Sequence, residues 1–212
     1  MFQMSQSRVI AGVPCLAALI CAFAAPGLLS MTATAQPVAA TPLAYTADGR
    51  LEFPRSYRTW VYLSSGLDMS YQPAPLRPVS TFGNVFVNPE AHDAFVATGT
   101  WPDKTVLVLE VRRAEQNASI NRNGRSQGDL LRTEVHVKDS ARFEGGWAFF
   151  AFADETAAAM IPRTANCYSC HQEHGAVDTT FVQFYPTLLP IARAKNTLTG
   201  NYLKEGTGGT RN

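Results

Sequence analysis

Cys167, Cys170 and His171 are the residues whose types and spacing could do chemistry in this chain, in the run Cys167-Tyr168-Ser169-Cys170-His171. Two thiols three positions apart reach neighbouring vinyl groups of one porphyrin. A histidine directly after the second thiol then offers an imidazole nitrogen to the iron. C-x-x-C-H is therefore the attachment sequence of a covalent haem c, with Cys167 and Cys170 as thioethers and His171 as metal ligand. Three other uses compete. A thioredoxin-like redox pair follows an early strand of a βαβ unit, whereas this one stands 41 residues from the C-terminus. A zinc site would have to draw Cys167, Cys170, His171 and His174 from eight consecutive residues, an awkward source for a tetrahedron. A vicinal disulfide is the third.

The group on the opposite side of the iron decides what such a site does. Electron-transfer cytochromes place a Met or a second His there. Past the export segment described below, the only methionines are Met69 and Met160. Met160 directly precedes the motif segment and reads as helix core; Met69, beside Ser70 and Tyr71, reads as surface. The expectation is an open sixth position, suited to a small ligand.

The elements around the motif begin with an address. Arg8 is the only charge in residues 1–35, an apolar run follows from Val9 to Leu29, and Ala33-Thr34-Ala35 closes the segment. A positive start, an apolar middle and a small-residue exit predict a signal peptide over 1–35 and a periplasmic product. Its removal takes Cys15 and Cys21, leaving Cys167 and Cys170 as the only thiols. The chain carries 18 Lys+Arg against 17 Asp+Glu, so no electrostatic footprint for nucleic acid is expected. The remaining length suits one domain.

Residues 36–50 read as a flexible lead-in, 51–196 as the globular domain and 197–212 as a flexible Gly/Thr-rich tail. Pro54 to Trp60 suggests a helical turn leading into a strand at Val61–Leu63, and the prolines from Gln72 to Pro78 a loop. Asn84–Val87 is β-prone. Asn88 as N-cap, Pro89 as first residue and Gly99 as stop predict a helix over 89–98. Strands follow at Thr105–Val111, Leu131–Val137 and Trp147–Phe152, with a long loop over Glu115–Asp129. Glu155–Met160 and Phe181–Lys195 read as helical. The fold class is α+β, a mainly antiparallel β-sheet with flanking helices.

Taken together, the chain resembles the cytochrome P460 family and its relatives, the β-type cytochromes c′. The resemblance runs from about Leu51 to Ala194. It rests on Trp60, Asn84 to Pro89, Gly99-Thr100-Trp101-Pro102-Asp103, Val137 to Phe143, Gly146 to Phe150, and the Cys motif with Asp178 to Pro186. It implies a homodimer, one haem c and His171 as proximal ligand. In hydroxylamine-oxidising members a strand lysine is bonded to the haem edge; the matching residue here is Leu109, which has no amine. A family arginine of the pocket appears as Gly83, and Glu134 matches a distal carboxylate that moves protons.

Alternation puts Leu107, Leu109 and Val111 on one face, an aliphatic wall for the haem. Glu134 and His136 share a face of the next strand, and both readings stand for it. It faces the pocket, with Glu134 as proton acceptor and His136 as relay or iron ligand, or it faces solvent, as Lys138 on the same parity suggests. The leading functional expectation is an exported monohaem protein binding NO or a related nitrogen species, served by a soluble redox partner. The alternatives are a hydroxylamine-oxidising oxidoreductase and an electron carrier with His136 as sixth ligand.

Overall fold

The chain, as a computed structural model, is described over residues 43–71, 79–116 and 119–208. The expected export segment, most of the lead-in and the proline loop lie outside the described residues. Five strands form one antiparallel sheet in sequential order: β2 (Val61–Leu67), β3 (Thr81–Val87), β4 (Val106–Glu115), β5 (Ser126–Lys138) and β6 (Trp147–Phe152). Two short strands, β1 (Leu51–Glu52) and β7 (Ala157–Ala158), pair separately. The helices are α1 (Pro89–Thr98), inserted between β3 and β4, then α2 (Asn166–His174), α3 (Leu189–Lys195) and α4 (Gly200–Gly208). The α+β class with an antiparallel sheet is what the sequence predicts.

The sheet is covered on both faces, and strand alternation divides the side chains between two cores. On one face Val106 and Val108 of β4, Val135 and Val137 of β5, and Ala148, Phe150 and Phe152 of β6 pack with Leu51, Phe53, Tyr57 and Trp60. On the other, Leu63, Val87, Leu107 and Trp147 pack with Phe95, Trp101, Val177, Val182, Tyr185 and Leu188 from the helices and connections. This explains the unbroken apolar run Trp147-Ala148-Phe149-Phe150-Ala151-Phe152. A strand buried on both sides has little solvent face to mark with polar residues. A β-bulge between Tyr62 and Ser64 inserts Leu63 into β2 and keeps the following residues in step with β3.

Helix α1 has the predicted ends. Gly99 closes it in the left-handed region, φ 79°. Asn88, however, does not cap it through its side chain. Its Oδ1 accepts the Val106 N–H at 2.8 Å and its Nδ2 donates to the Lys104 carbonyl, so it ties the helix start to the start of β4 instead.

Several expectations need correction. The predicted loop over 115–129 is shorter than expected, because β4 and β5 extend past their apolar parts to the pair Glu115 and Ser126 and leave 116–125 as the connection. The side chains there are polar because that end of the ladder is exposed. Residues 155–160 hold β7 rather than a helix; Ala157 and Ala158 pair with Glu52 and Leu51, a long-range partner that overrides local propensity. Residues 43–50 of the lead-in form a turn in which the Thr46 N–H donates to the Arg50 carbonyl and the Arg50 N–H to the Thr46 hydroxyl, and Leu43 and Tyr45 pack on the core. The tail carries α4, seated by the Thr199 hydroxyl on the Gly175 carbonyl at 2.6 Å and by Tyr202 on the core.

A buried carboxylate fixes the far face of β4. Glu110 is 4% exposed and accepts hydrogen bonds from the Tyr57 hydroxyl, Arg58 Nε, Arg112 Nε and Asn84 Nδ2. Burial alone would raise its pKa, but the donors from Arg112, Tyr57 and Arg58 outweigh that and hold it at about 2. Its stabilising contribution is complete above the ordinary carboxylate value of 4.5 and is lost as pH falls toward 2. Glu110→Gln should cost about 3 kcal/mol at neutral pH, by analogy with breaking a buried ion pair. Urea unfolding should show the wild-type advantage shrinking across that acid window.

Candidate functional site

Helix α2 brings the motif together. Cys167, Cys170, His171 and His174 stand at i, i+3, i+4 and i+7, one face of a helix. Both thiols are unbridged and half-buried, and burial pushes both pKa values up. That is opposite to the lowered value of a redox-active Cys-x-x-Cys pair. Among the described residues no three His, Cys, Asp or Glu side chains converge as a metal cage.

The His171 imidazole is held on several sides. Its Nδ1 lies 2.7 Å from the Thr179 carbonyl, which can only accept, so Nδ1 carries the proton and Nε2 presents its lone pair. The Phe181 ring stacks on it with centroids 4.1 Å apart, and Phe149 meets it edge to face at 4.6 Å. Burial lowers its pKa, against the pull of the Thr179 carbonyl and Glu134, which favours the neutral, metal-binding form.

The segment 175–181 that supplies Thr179 and Phe181 is pinned from two directions. Trp101 Nε1 donates to Thr180 Oγ1 at 2.8 Å, and Thr180 Oγ1 in turn donates to the Val177 carbonyl. Lys138 Nζ donates to Asp178 Oδ2 at 2.9 Å and to the Trp101 carbonyl at 2.7 Å. Lys138 therefore does not mark a wet face. It reaches from the end of β5 across to this connection, which is why its parity misled.

In front of His171 lies a cavity of about 330 Å³, walled by the sheet on one side and the C-terminal connections on the other. Three cross-strand rows form the sheet wall. Val87, Leu107, His136 and Phe149 make the first, Ser64, Val85, Leu109 and Glu134 the second, and Gly66, Gly83, Val111 and Arg132 the third. All of these except Val87 line the cavity. Leu109 faces it, as expected. So does Gly83, and a Cβ built there would come 3.2 Å from Leu109 Cδ1.

Glu134 and His136 both face the cavity but sit differently. Glu134 is at the rim, 42% exposed, with Arg132 Nε donating to it at 2.6 Å. His136 is buried, stacked on Phe149 at 3.9 Å and against Trp147 at 4.3 Å. Its ring centroid is 5.2 Å from that of His171. Two metal–nitrogen bonds of about 2 Å each plus two ring radii, laid in a line, exceed that spacing, so the two imidazoles do not stand on opposite sides of one metal. His136 Nε2 is 3.4 Å from the Thr179 hydroxyl, which places it beside the residue that orients His171.

Sequence reasoning missed Thr179, whose role is a backbone carbonyl and leaves no side-chain signal. It also missed Met69, Tyr71 and Phe184 as cavity residues. His174, on the same helix, is bound to Glu205 of α4 through Nδ1.

The site fits a haem in its donor set: two thiols and an Nε2 lone pair on one helix face, beside an apolar cavity. Thr180→Val tests the scaffold. It strands the buried Trp101 N–H, and should cost about 2 kcal/mol in chemical denaturation.

No curated relative matches the chain. The family model described as Cytochrome P460 matches residues 54–182, more than half of the chain, from the first turn before β2 to the connection that follows the Cys motif. With Cys167, Cys170 and His171 on one helix face and His171 turned toward an apolar cavity, this match establishes that the chain belongs to the cytochrome P460 family of haem cytochromes.

Proposed function

We propose that the protein carries one covalent haem c and binds NO or a related small nitrogen species on the side of the iron away from His171. Cys167 and Cys170 hold the porphyrin as thioethers, and His171 Nε2 is the metal ligand. The bound haem supplies an iron with an open coordination position. The observation that carries this reading is the fixed tautomer of His171: the Thr179 carbonyl takes the Nδ1 proton and leaves only Nε2 for a metal.

The chain's own residues favour an apolar ligand. Val85, Leu107, Leu109 and Val111 make an aliphatic wall, and no described lysine lines the cavity. Lys104 pairs with Asp139 and Lys138 with Asp178, so neither replaces the amine missing at Leu109. That aliphatic stretch of the wall gives little help to polar oxygen species and suits NO or CO. Hydroxylamine oxidation is the second reading. Its support is Glu134, a carboxylate at the rim positioned to accept a proton, with Arg132 Nε donating a hydrogen bond to it.

The proposal includes export to the periplasm through residues 1–35, a homodimeric assembly and a soluble redox partner. Intact mass of the exported, matured protein should exceed that of the mature polypeptide by one haem, and Cys167→Ala with Cys170→Ala should abolish the increment. The reduced protein should show a five-coordinate spectrum that changes on NO addition. A bare polypeptide mass overturns the reading, as does a six-coordinate low-spin spectrum indifferent to NO. Turnover of hydroxylamine with an artificial acceptor, lost in Glu134→Gln, would favour the second reading.

A further inference from the structure

We propose that Met69 is a movable wall of the cavity and sets the size of the ligand admitted; the inference rests on the reading of the cavity as a haem ligand site. Gly66 and Gly83 are directly paired across β2 and β3, and both face the cavity. Neither brings a side chain, so the third row of the sheet wall has a hollow in it. Met69 fills that hollow. A Cβ built at Gly66 would fall on the Met69 sulfur and crowd its Cγ, so the thioether occupies the space a side chain at 66 would take.

The backbone that delivers Met69 is fixed, and its tip is not. Asp68 adopts φ 54°, which turns the chain back over β2. Its Oδ1 accepts the Thr81 N–H at 2.8 Å, its Oδ2 accepts the Ser80 hydroxyl at 2.6 Å, and its own N–H donates to the Thr81 carbonyl. Beyond this anchor, Met69 is 40% exposed at the cavity mouth. An unbranched thioether with three rotatable bonds leaves and re-enters such a hollow at small cost, unlike a branched or β-strand side chain. On the Gly83 side of the hollow, Leu109 Cδ1 of the neighbouring row already stands 3.2 Å from where a Cβ at 83 would lie. Ligands that fit beside the seated thioether enter freely; larger ones must displace it.

Methyl and n-butyl isocyanide, which bind reduced haem iron and differ only in length, are the probes. In the haem-loaded wild type the longer ligand should be disfavoured. Met69→Ala should raise the ratio of butyl to methyl affinity by about tenfold, the scale of a methylene-sized change in an apolar pocket. Gly66→Ala, which evicts the thioether without touching residue 69, should shift the ratio in the same direction. An unchanged ratio in a folded, haem-loaded Met69→Ala overturns the inference, whatever Gly66→Ala does. A wild type that takes up neither isocyanide nor NO overturns the underlying ligand-site reading as well, so the two failures are distinguishable.

Discussion

The hydrogen bond between His171 Nδ1 and the Thr179 carbonyl, 2.7 Å long, is the constraint from which the site's chemistry follows. A histidine on an exposed helix samples both tautomers and several rotamers. Here a backbone acceptor eight residues on selects one tautomer, and the Phe181 and Phe149 rings leave the imidazole little room to rotate. The carbonyl can do this only because its own segment is held, by Trp101 through Thr180 and by Lys138 through Asp178. Residues on β5, on the connection after α1 and after α2 thus converge on one proton.

The sheet serves the site by being double-sided. One face packs Val106, Val108, Val135 and Val137 into a core of its own, so the strands need no support from the cavity side. The cavity face can then tolerate a hollow, a rim carboxylate and a buried histidine. The Glu110 cluster belongs to the first face. It fixes β4 from behind while Leu109, one residue earlier, faces the cavity.

Much of this was legible in the sequence. The Cys motif, the ends of α1, the strand at Trp147–Phe152 and the face shared by Leu107, Leu109 and Val111 follow from local rules, and the structure has them. What was not legible depended on distant partners. Nothing near Ala157 announces pairing with Leu51, and nothing near Met69 announces a glycine hollow waiting for it. The face of β5 was undecidable because Lys138 reads as solvated until Asp178 is seen opposite it. Asn88 has the composition of a cap, yet Val106 and Lys104 claim its amide.

The order of these parts along the chain has a consequence for how the protein is made. As synthesis proceeds from the N-terminus, β2 to β6 are complete before α2, Phe181 and Tyr185 exist. Until those arrive, the aliphatic rows built around Leu107, Leu109 and Val111 have water on them and no cover. A chain ending near residue 160 would present a finished, sticky half-sheet, open to association with its neighbours.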